Sequence, residues 1–197
     1  FYSSAWNNAG SYATENSVDN ILLNLSRPRV AILTCMWRRH ALTQFVLNYY
    51  STLRKNLAEV MDLTLLVVGS EGEKSRSLVQ DDAFLYVEHE NQPLGAKWNA
   101  GLQALAPFRP DAVLIVGSDD LLNLRYFQLM LQALRQGIHF IGLLEFHVFD
   151  LLSKRMVFWP GYHRLDSPSH RMGEPVGVGR CLHQKLLDQV NWQLWEN

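Results

Sequence analysis

This sequence has few cysteines, no long apolar run and little net charge, and each of these features excludes a class of protein. The two cysteines, Cys35 and Cys181, are too few for a disulfide framework, so a reducing, cytoplasmic compartment is the default expectation. The longest mostly apolar runs, 63–68 and 112–116, fall far short of the ~18 residues of a membrane span. With 18 Lys and Arg against 19 Asp and Glu, the formal net charge is −1. The basic surplus of a nucleic-acid-binding protein is missing. We therefore expect no membrane span and no nucleic-acid partner.

The composition is that of an ordinary folded domain. The chain has 197 residues, of which 48% are hydrophobic and 19% charged, enough for one domain with its own core. Its composition breaks at Ser26-Arg27-Pro28, after a short apolar segment. We expect an N-terminal arm over residues 1–27 and one domain over residues 28–197. Residues 1–20 have neither the basic start nor the apolar core of a signal peptide.

Short apolar runs alternate with segments of helical periodicity along the domain. Predicted strands are 30–34, 63–68, 83–87, 112–116, 138–149 and 156–159, and predicted helices are 41–57, 96–105, 121–136 and about 181–190. This alternation predicts an α/β fold of three layers, a mostly parallel sheet with helices on both faces. Ligands of such sheets bind beyond the carboxyl ends of the strands, which singles out 34–39, 69–71 and 117–120.

Two adjacent carboxylates follow the fourth predicted strand, in Gly117-Ser118-Asp119-Asp120. Hard oxygen ligands of this kind hold Mg²⁺ or Mn²⁺, usually together with substrate phosphates. Alternatively, Ser118 or Asp120 caps a helix that begins at Leu121. The two interpretations are compatible, because one Asp can cap while the other binds metal.

A second polar segment, residues 91–101, joins the third strand to a helix. Lys97 falls in the first turn of that helix, where a cation opposes the helix dipole. A phosphate bound at the helix N-terminus would explain it. The competing interpretation is a solvated surface lysine, with Asn91 making a turn.

Four segments follow one another over residues 29–136: VAILTCMWRR, which supplies the first predicted strand and the loop after it, LLVVGSEG, NQPLGAKWNAGLQAL and AVLIVGSDD. In order and spacing they resemble segments of the family 2-like glycosyltransferases of the GT-A fold. The third is similar to the family's Gly-x-(Arg/Lys)-x-Asn-x-Gly segment and the fourth to its Asp-x-Asp strand end. Here Gly117 stands in place of the first Asp, so Asp119 matches the metal-binding second Asp.

The resemblance implies a GT-A, Rossmann-like nucleotide-diphospho-sugar transferase of hexosyltransferase type. The donor would be a UDP- or GDP-sugar, the acceptor a hydroxyl of a glycan, lipid or protein, and the cofactor Mn²⁺ or Mg²⁺. The implied metal ligands are Asp119 and Asp120, and the implied catalytic residues are Asp119 and Glu174. The residues implied to bind the nucleotide sugar are Thr34, Cys35, Arg38, Ser70, Glu71, Asn91, Gly95, Lys97, Ser118, Asp120 and Arg180.

The catalytic base and the reaction class each keep alternatives. Asp166, His170 and Glu174 are the bases available in the C-terminal loop, and Glu174 is the first choice. The family's usual Glu-Asp pair is missing before residue 197, so the base is either Glu174 or outside this sequence. A nucleotidyltransferase on a similar sheet is a second candidate, although its glycine-rich first loop has no counterpart in residues 34–40. A non-catalytic nucleotide-sugar-binding domain is a third.

Overall fold

A computed structural model describes residues 27–81, 83–163 and 171–196. Residues 1–26 of the predicted arm lie outside this part of the chain. Arg27, at the end of that arm, binds the domain: its guanidinium lies 2.9 Å from a carboxylate oxygen of Asp62 and donates to the carbonyl of Ala58 at 2.6 Å.

Strands and helices alternate from Arg29 to Arg135, and one of these helices, Glu73–Arg76, was not predicted. The strands are β1 Arg29–Cys35, β2 Asp62–Gly69, β3 Phe84–Glu88, β4 Ala112–Ile115, β5 Phe140–Ile141, β6 Phe146–Asp150, β7 Arg155–Trp159 and β8 Arg180–His183. The helices are α1 His40–Leu57, α2 Glu73–Arg76, α3 Leu94–Leu105, α4 Leu124–Arg135 and α5 Gln184–Gln189, and 3-10 turns cover Ala106–Phe108 and Gly161–His163. Among the described residues, no helix combines the length and apolar character that crossing a bilayer requires.

Six strands form one sheet in the order β3-β2-β1-β4-β8-β5. The pairs β3–β2, β2–β1 and β1–β4 are parallel, and β8 runs antiparallel to both β4 and β5. Successive side chains of a strand point to opposite faces, so Ile32 and Leu33 join two different cores. Helices α1 and α4 cover the first core with Tyr50 and Phe127. Helices α3 and α5 cover the second. The predicted three-layer, mostly parallel α/β fold is confirmed.

Three element boundaries differ from the prediction. The predicted helix over 181–190 is half strand, because Arg180–His183 pairs with β4 before α5 begins at Gln184. The helix expected at Leu121 begins at Leu124, where Asn123 Oδ1 accepts a hydrogen bond from the Tyr126 amide at 3.0 Å. Ser118 and Asp120 therefore do not cap it. The strand expected over 138–149 is divided into β5 and β6.

Candidate functional site

The sheet reverses its strand order between β1 and β4. The chain passes from β1 to β2 on one side, and later from β3 to β4 on the other side of β1. Beyond the carboxyl ends of two such strands lies the crevice where open α/β sheets bind ligands. The loops that follow β1 and β4 therefore border the candidate site.

A tight turn after β4 presents the two carboxylates. Asp120 closes this turn: its Oδ2 accepts from the Gly117 amide at 3.0 Å, and its own amide donates to the Gly117 carbonyl at 3.2 Å. Helix α1 holds the turn from the first core. The Tyr50 hydroxyl donates to the Asp120 carbonyl at 3.1 Å and accepts from the Leu122 amide at 3.2 Å. Asp119 is thereby left with 43% of its side chain exposed.

The loop after β1 reaches across to this turn. An Arg39 guanidinium nitrogen lies 2.6 Å from Asp119 Oδ2, and the other terminal nitrogen donates to Ser118 Oγ at 3.2 Å. Arg38 and Arg39 both have left-handed backbone angles, with φ of 55° and 49°. Consecutive non-glycine residues in this region are strained, and such strain clusters at functional sites. Arg39 was not among the residues predicted from the sequence, although it lies in a segment singled out by the strand-end rule.

Glu71, after β2, holds the same loop on both sides of Arg39. Its Oε2 accepts from the Arg38 amide at 2.7 Å and lies 2.9 Å from His40 Nε2. These contacts, the Arg38 amide first, lower the pKa of the Glu71 carboxyl. Glu71 Oε2 is thus committed to the loop. A nucleotide-sugar contact, as the resemblance implies for Glu71, would fall to its other oxygen.

The acidic turn places two carboxyl groups next to each other, and among the described residues Arg39 lies within ion-pair distance of Asp119 alone. Burial raises the pKa of Asp120, and the neighbouring Asp119 raises it further. Repulsion between adjacent carboxylates is relieved when a cation binds between them or beside them. The turn is therefore electrostatically suited to a positively charged ligand.

Lys97, predicted at a phosphate, is instead completely buried. Its ammonium donates to the Met36 carbonyl at 2.5 Å and to Asn91 Oδ1 at 3.2 Å, with 0% of the residue exposed. Burial lowers the pKa of Lys97. The alternative of a solvated surface lysine is wrong, and the direct phosphate contact has no support in this geometry. Lys97 and Asn91 anchor the start of the loop that carries Arg39.

The rest of the segment similar to Gly-x-Lys-x-Asn-x-Gly also makes internal contacts. A Cβ at Gly95 would lie 2.9 Å from Trp195 Cβ, so this glycine allows the C-terminal segment to approach α3. Asn99 binds that segment, donating to the Trp195 carbonyl at 2.6 Å. A Cβ at Gly101 would overlap the Leu33 side chain. In this structure Gly95 therefore has a packing role, and no ligand contact is needed to explain it.

Three predicted ligand-binding side chains at the ends of β1 and β2 are buried or half-buried. Thr34 is 3% exposed, and its hydroxyl is buried without a partner among the described residues. Burial raises the pKa of the Cys35 thiol to about 12, so Cys35 is no ready nucleophile. The Ser70 hydroxyl is also buried and unpartnered among the described residues. Direct nucleotide contacts from the hydroxyls of Thr34 and Ser70 would require a rearrangement of these strand ends.

The C-terminal candidates hold their own loop. Glu174 is exposed and pairs with Arg171 at 3.0 Å. Arg180 begins β8, not the last helix, and donates to the carbonyls of Val176 at 2.9 Å and Pro175 at 3.2 Å. Its backbone pairs with Ile115 of β4, so Arg180 lies on the strand beside the one that the acidic turn follows. The other candidate bases, Asp166 and His170, lie outside the described residues.

The chain has a GT-A-like α/β fold, as the resemblance implied, and shares this fold with solved enzyme structures. One solved structure with this fold is a mannosyltransferase from Pyrobaculum calidifontis in complex with GDP-mannose and Mn²⁺, with a TM-score of 0.55 at 17% identity. The match covers 84% of this chain and 47% of that one, so the chain spans about half the length of the mannosyltransferase.

A second similar structure is the 4-diphosphocytidyl-2C-methyl-D-erythritol synthase from Anaerococcus prevotii, with a TM-score of 0.54 at 13% identity. That match covers 89% of this chain and 80% of the synthase. Another 4-diphosphocytidyl-2C-methyl-D-erythritol synthase has a TM-score of 0.51 at 14% identity, covering 87% of this chain and 81% of that one. No protein-family model and no curated protein matches the sequence. At these identities the structural likeness establishes the fold alone.

Proposed function

We propose that this protein is a glycosyltransferase that moves a sugar from a nucleoside-diphosphate sugar to an acceptor hydroxyl. The observation that carries the proposal is the meeting of the Arg38–Arg39 loop with the Asp119–Asp120 turn at the switch point of the sheet, joined by a contact of 2.6 Å. Cationic and acidic groups that meet at one edge of the sheet suit a diphosphate bound together with a cation. The donor would be a UDP- or GDP-sugar.

Asp119 and Asp120 fit a divalent cation, Mn²⁺ or Mg²⁺. Both supply hard oxygen ligands, and Asp119 is part-exposed. Within the described ranges, no three His, Cys, Asp or Glu side chains gather at one point, so phosphate and water would complete the coordination. When bound, such a cation would neutralise charge that develops on the leaving diphosphate.

The residues of the chain have distinct parts in this proposal. Trp37 is 41% exposed, and the Arg38 guanidinium lies 4.1 Å from its ring centre, a pair that suits stacking of a nucleobase. Glu71, Lys97 and Asn91 hold the loop that carries this pair. Glu174 is the proposed base for the acceptor hydroxyl, because it is an exposed carboxylate in the loop that leads to β8. The acceptor would be a glycan, lipid or protein.

The test measures thermal stabilisation by GDP- and UDP-sugars with and without Mn²⁺, since a ligand that binds only the folded state raises the unfolding temperature. We expect stabilisation that depends on the metal in the wild type and its loss in Asp119→Asn. Asp62→Asn is the matched control, because Asp62 is an exposed, ion-paired carboxylate at the opposite end of β2. Metal-dependent binding that survives in Asp119→Asn removes Asp119 from this role. Transfer is then followed as release of the nucleoside diphosphate.

A nucleotidyltransferase is the second candidate. It is favoured by the two synthases of similar fold, whose named product carries a cytidyl diphosphate and whose length the chain covers to 80% and 81%. The absence of glycine from residues 34–40 argues against a triphosphate-cradling loop there. Release of pyrophosphate from a nucleoside triphosphate and a sugar phosphate would establish it. Binding of nucleotide sugars with neither transfer nor hydrolysis would instead indicate a non-catalytic binding domain.

A further inference from the structure

The guanidinium of Arg39 is the cation that pairs with Asp119 in this structure. Its guanidinium binds Asp119 Oδ2 at 2.6 Å and Ser118 Oγ at 3.2 Å through two different nitrogens. The same carboxylate is the proposed ligand of the divalent cation. Guanidinium and metal would therefore compete for the charge of a single side chain.

The backbone of Arg39 is held while its side chain is free to change partner. Glu71 binds the residues on both sides, the Arg38 amide at 2.7 Å and His40 Nε2 at 2.9 Å. The Arg39 side chain is 54% exposed, so its reorientation displaces no packed core. An exposed ion pair of this kind contributes little to stability, and exchanging it for another anion has a low cost.

We infer that Arg39 is a diphosphate-binding residue that couples the binding of nucleotide and metal; this rests on the proposed function. Without nucleotide, Arg39 neutralises Asp119 and weakens the binding of a divalent cation there. A diphosphate offers the guanidinium two neighbouring oxygens in the fork geometry that arginine binds well. Arg39 then leaves Asp119, and the Asp119 carboxylate becomes available to the cation. Metal and nucleotide thus each raise the affinity for the other, as reciprocal coupling requires.

The experiment is a Mn²⁺ titration, read by the paramagnetic resonance signal of free Mn²⁺, on the full chain without and with GDP or UDP. Arg39→Met is the test variant, because an unbranched side chain suits the left-handed backbone as well as arginine does. Arg109→Met is the matched control. Arg109 has the same φ of 49° and an exposed ion pair with Asp188 at 3.0 Å, and it lies just before the amino end of β4.

Removal of a unit charge within a few ångströms of the metal predicts about a 10-fold tighter binding of Mn²⁺ alone to Arg39→Met. With Mn²⁺ saturating, GDP or UDP should bind this variant about 10-fold more weakly. Arg109→Met should match the wild type in both titrations. Arg39→Lys, which keeps the charge and loses the fork, should restore weak binding of Mn²⁺ alone without restoring nucleotide affinity.

Unchanged or weaker binding of Mn²⁺ alone to Arg39→Met would overturn the inference, and so would unchanged coupling between metal and nucleotide. A failure of the proposed function is distinguishable, because the wild type itself would then bind no GDP or UDP in the presence of Mn²⁺. Circular dichroism of each variant establishes that the fold is retained before titration.

Discussion

Replacement of Tyr50 by Phe tests whether helix α1 holds the acidic turn. The ring stays in the first core, where Tyr50 is 2% exposed, and only the hydroxyl is lost. That hydroxyl donates to the Asp120 carbonyl at 3.1 Å and accepts from the Leu122 amide at 3.2 Å. Burial raises the pKa of Tyr50, so the phenol is protonated at any ordinary pH.

The expected cost follows from these two hydrogen bonds. Each contributes about 1 kcal/mol net, and a buried amide left without a partner costs about 1–3 kcal/mol. Leu122 is 4% exposed, so water cannot readily replace the hydroxyl at its amide. We expect Tyr50→Phe to lower the free energy of unfolding by about 2–3 kcal/mol. The loosened turn should also weaken Mn²⁺-dependent binding of a nucleoside diphosphate, although Tyr50 contacts no ligand.

Urea unfolding followed by circular dichroism measures the first effect, and the titration described above measures the second. Tyr49→Phe is the control: its hydroxyl donates a single bond, to the Leu122 carbonyl at 2.7 Å, from a half-buried position. Its loss should cost about 1 kcal/mol or less. A loss of under about 0.5 kcal/mol for Tyr50→Phe, the range of ordinary surface substitutions, would refute the argument that α1 supports the turn.

Three further predictions test individual contacts. The pKa of Glu71 is lowered in the folded state, so its carboxylate stabilises the protein at pH values above 4.5, its ordinary pKa, and this stabilisation is lost as the pH falls through the lowered pKa. Below pH 4.5 the unfolding temperature of Glu71→Gln should therefore fall less steeply with pH than that of the wild type. Parallel curves of unfolding temperature against pH would contradict this. Gly101→Ala overlaps Leu33 and should lower the free energy of urea unfolding by about 1–3 kcal/mol, whereas a gain would show that α3 shifts to accept the methyl group. Asn123→Ala removes the N-terminal cap of α4 and should lower the free energy of urea unfolding by about 1 kcal/mol. An unchanged midpoint of urea unfolding would show that Asn123 is not the residue that caps α4.

Patterns within the sequence were sufficient for most of the fold. The first four strands of the sheet are short apolar runs, because parallel strands covered by helices on both faces are largely buried. Of these four, only β3, at the edge of the sheet, is half-buried along most of its length. The periodicity of α1 predicted its C-terminal end at Leu57 and its start to within one residue. β8 was missed because its four residues merge with the apolar positions of α5, and only pairing with β4 makes them a strand.

The candidate site was predictable by position and less so by residue. The strand-end rule singled out the segments that contain Asp119, Glu71 and Arg39, since the carboxyl ends of parallel strands meet at one edge. The particular contacts of Lys97 could not be inferred, because its partner, Met36, is 61 residues away in the chain. A motif that resembles a ligand-binding segment proved to be packed against the protein itself.

The sequence by itself determined the layers, the succession of most strands and helices along the chain and the edge of the sheet where polar residues gather, because these depend on hydrophobic runs and turn residues that are local in the chain. Only the tertiary structure decided which charges meet there. Arg39 and Asp119 are 80 residues apart, and they meet because the sheet order, the left-handed loop and the contacts of Tyr50 with the turn bring them together.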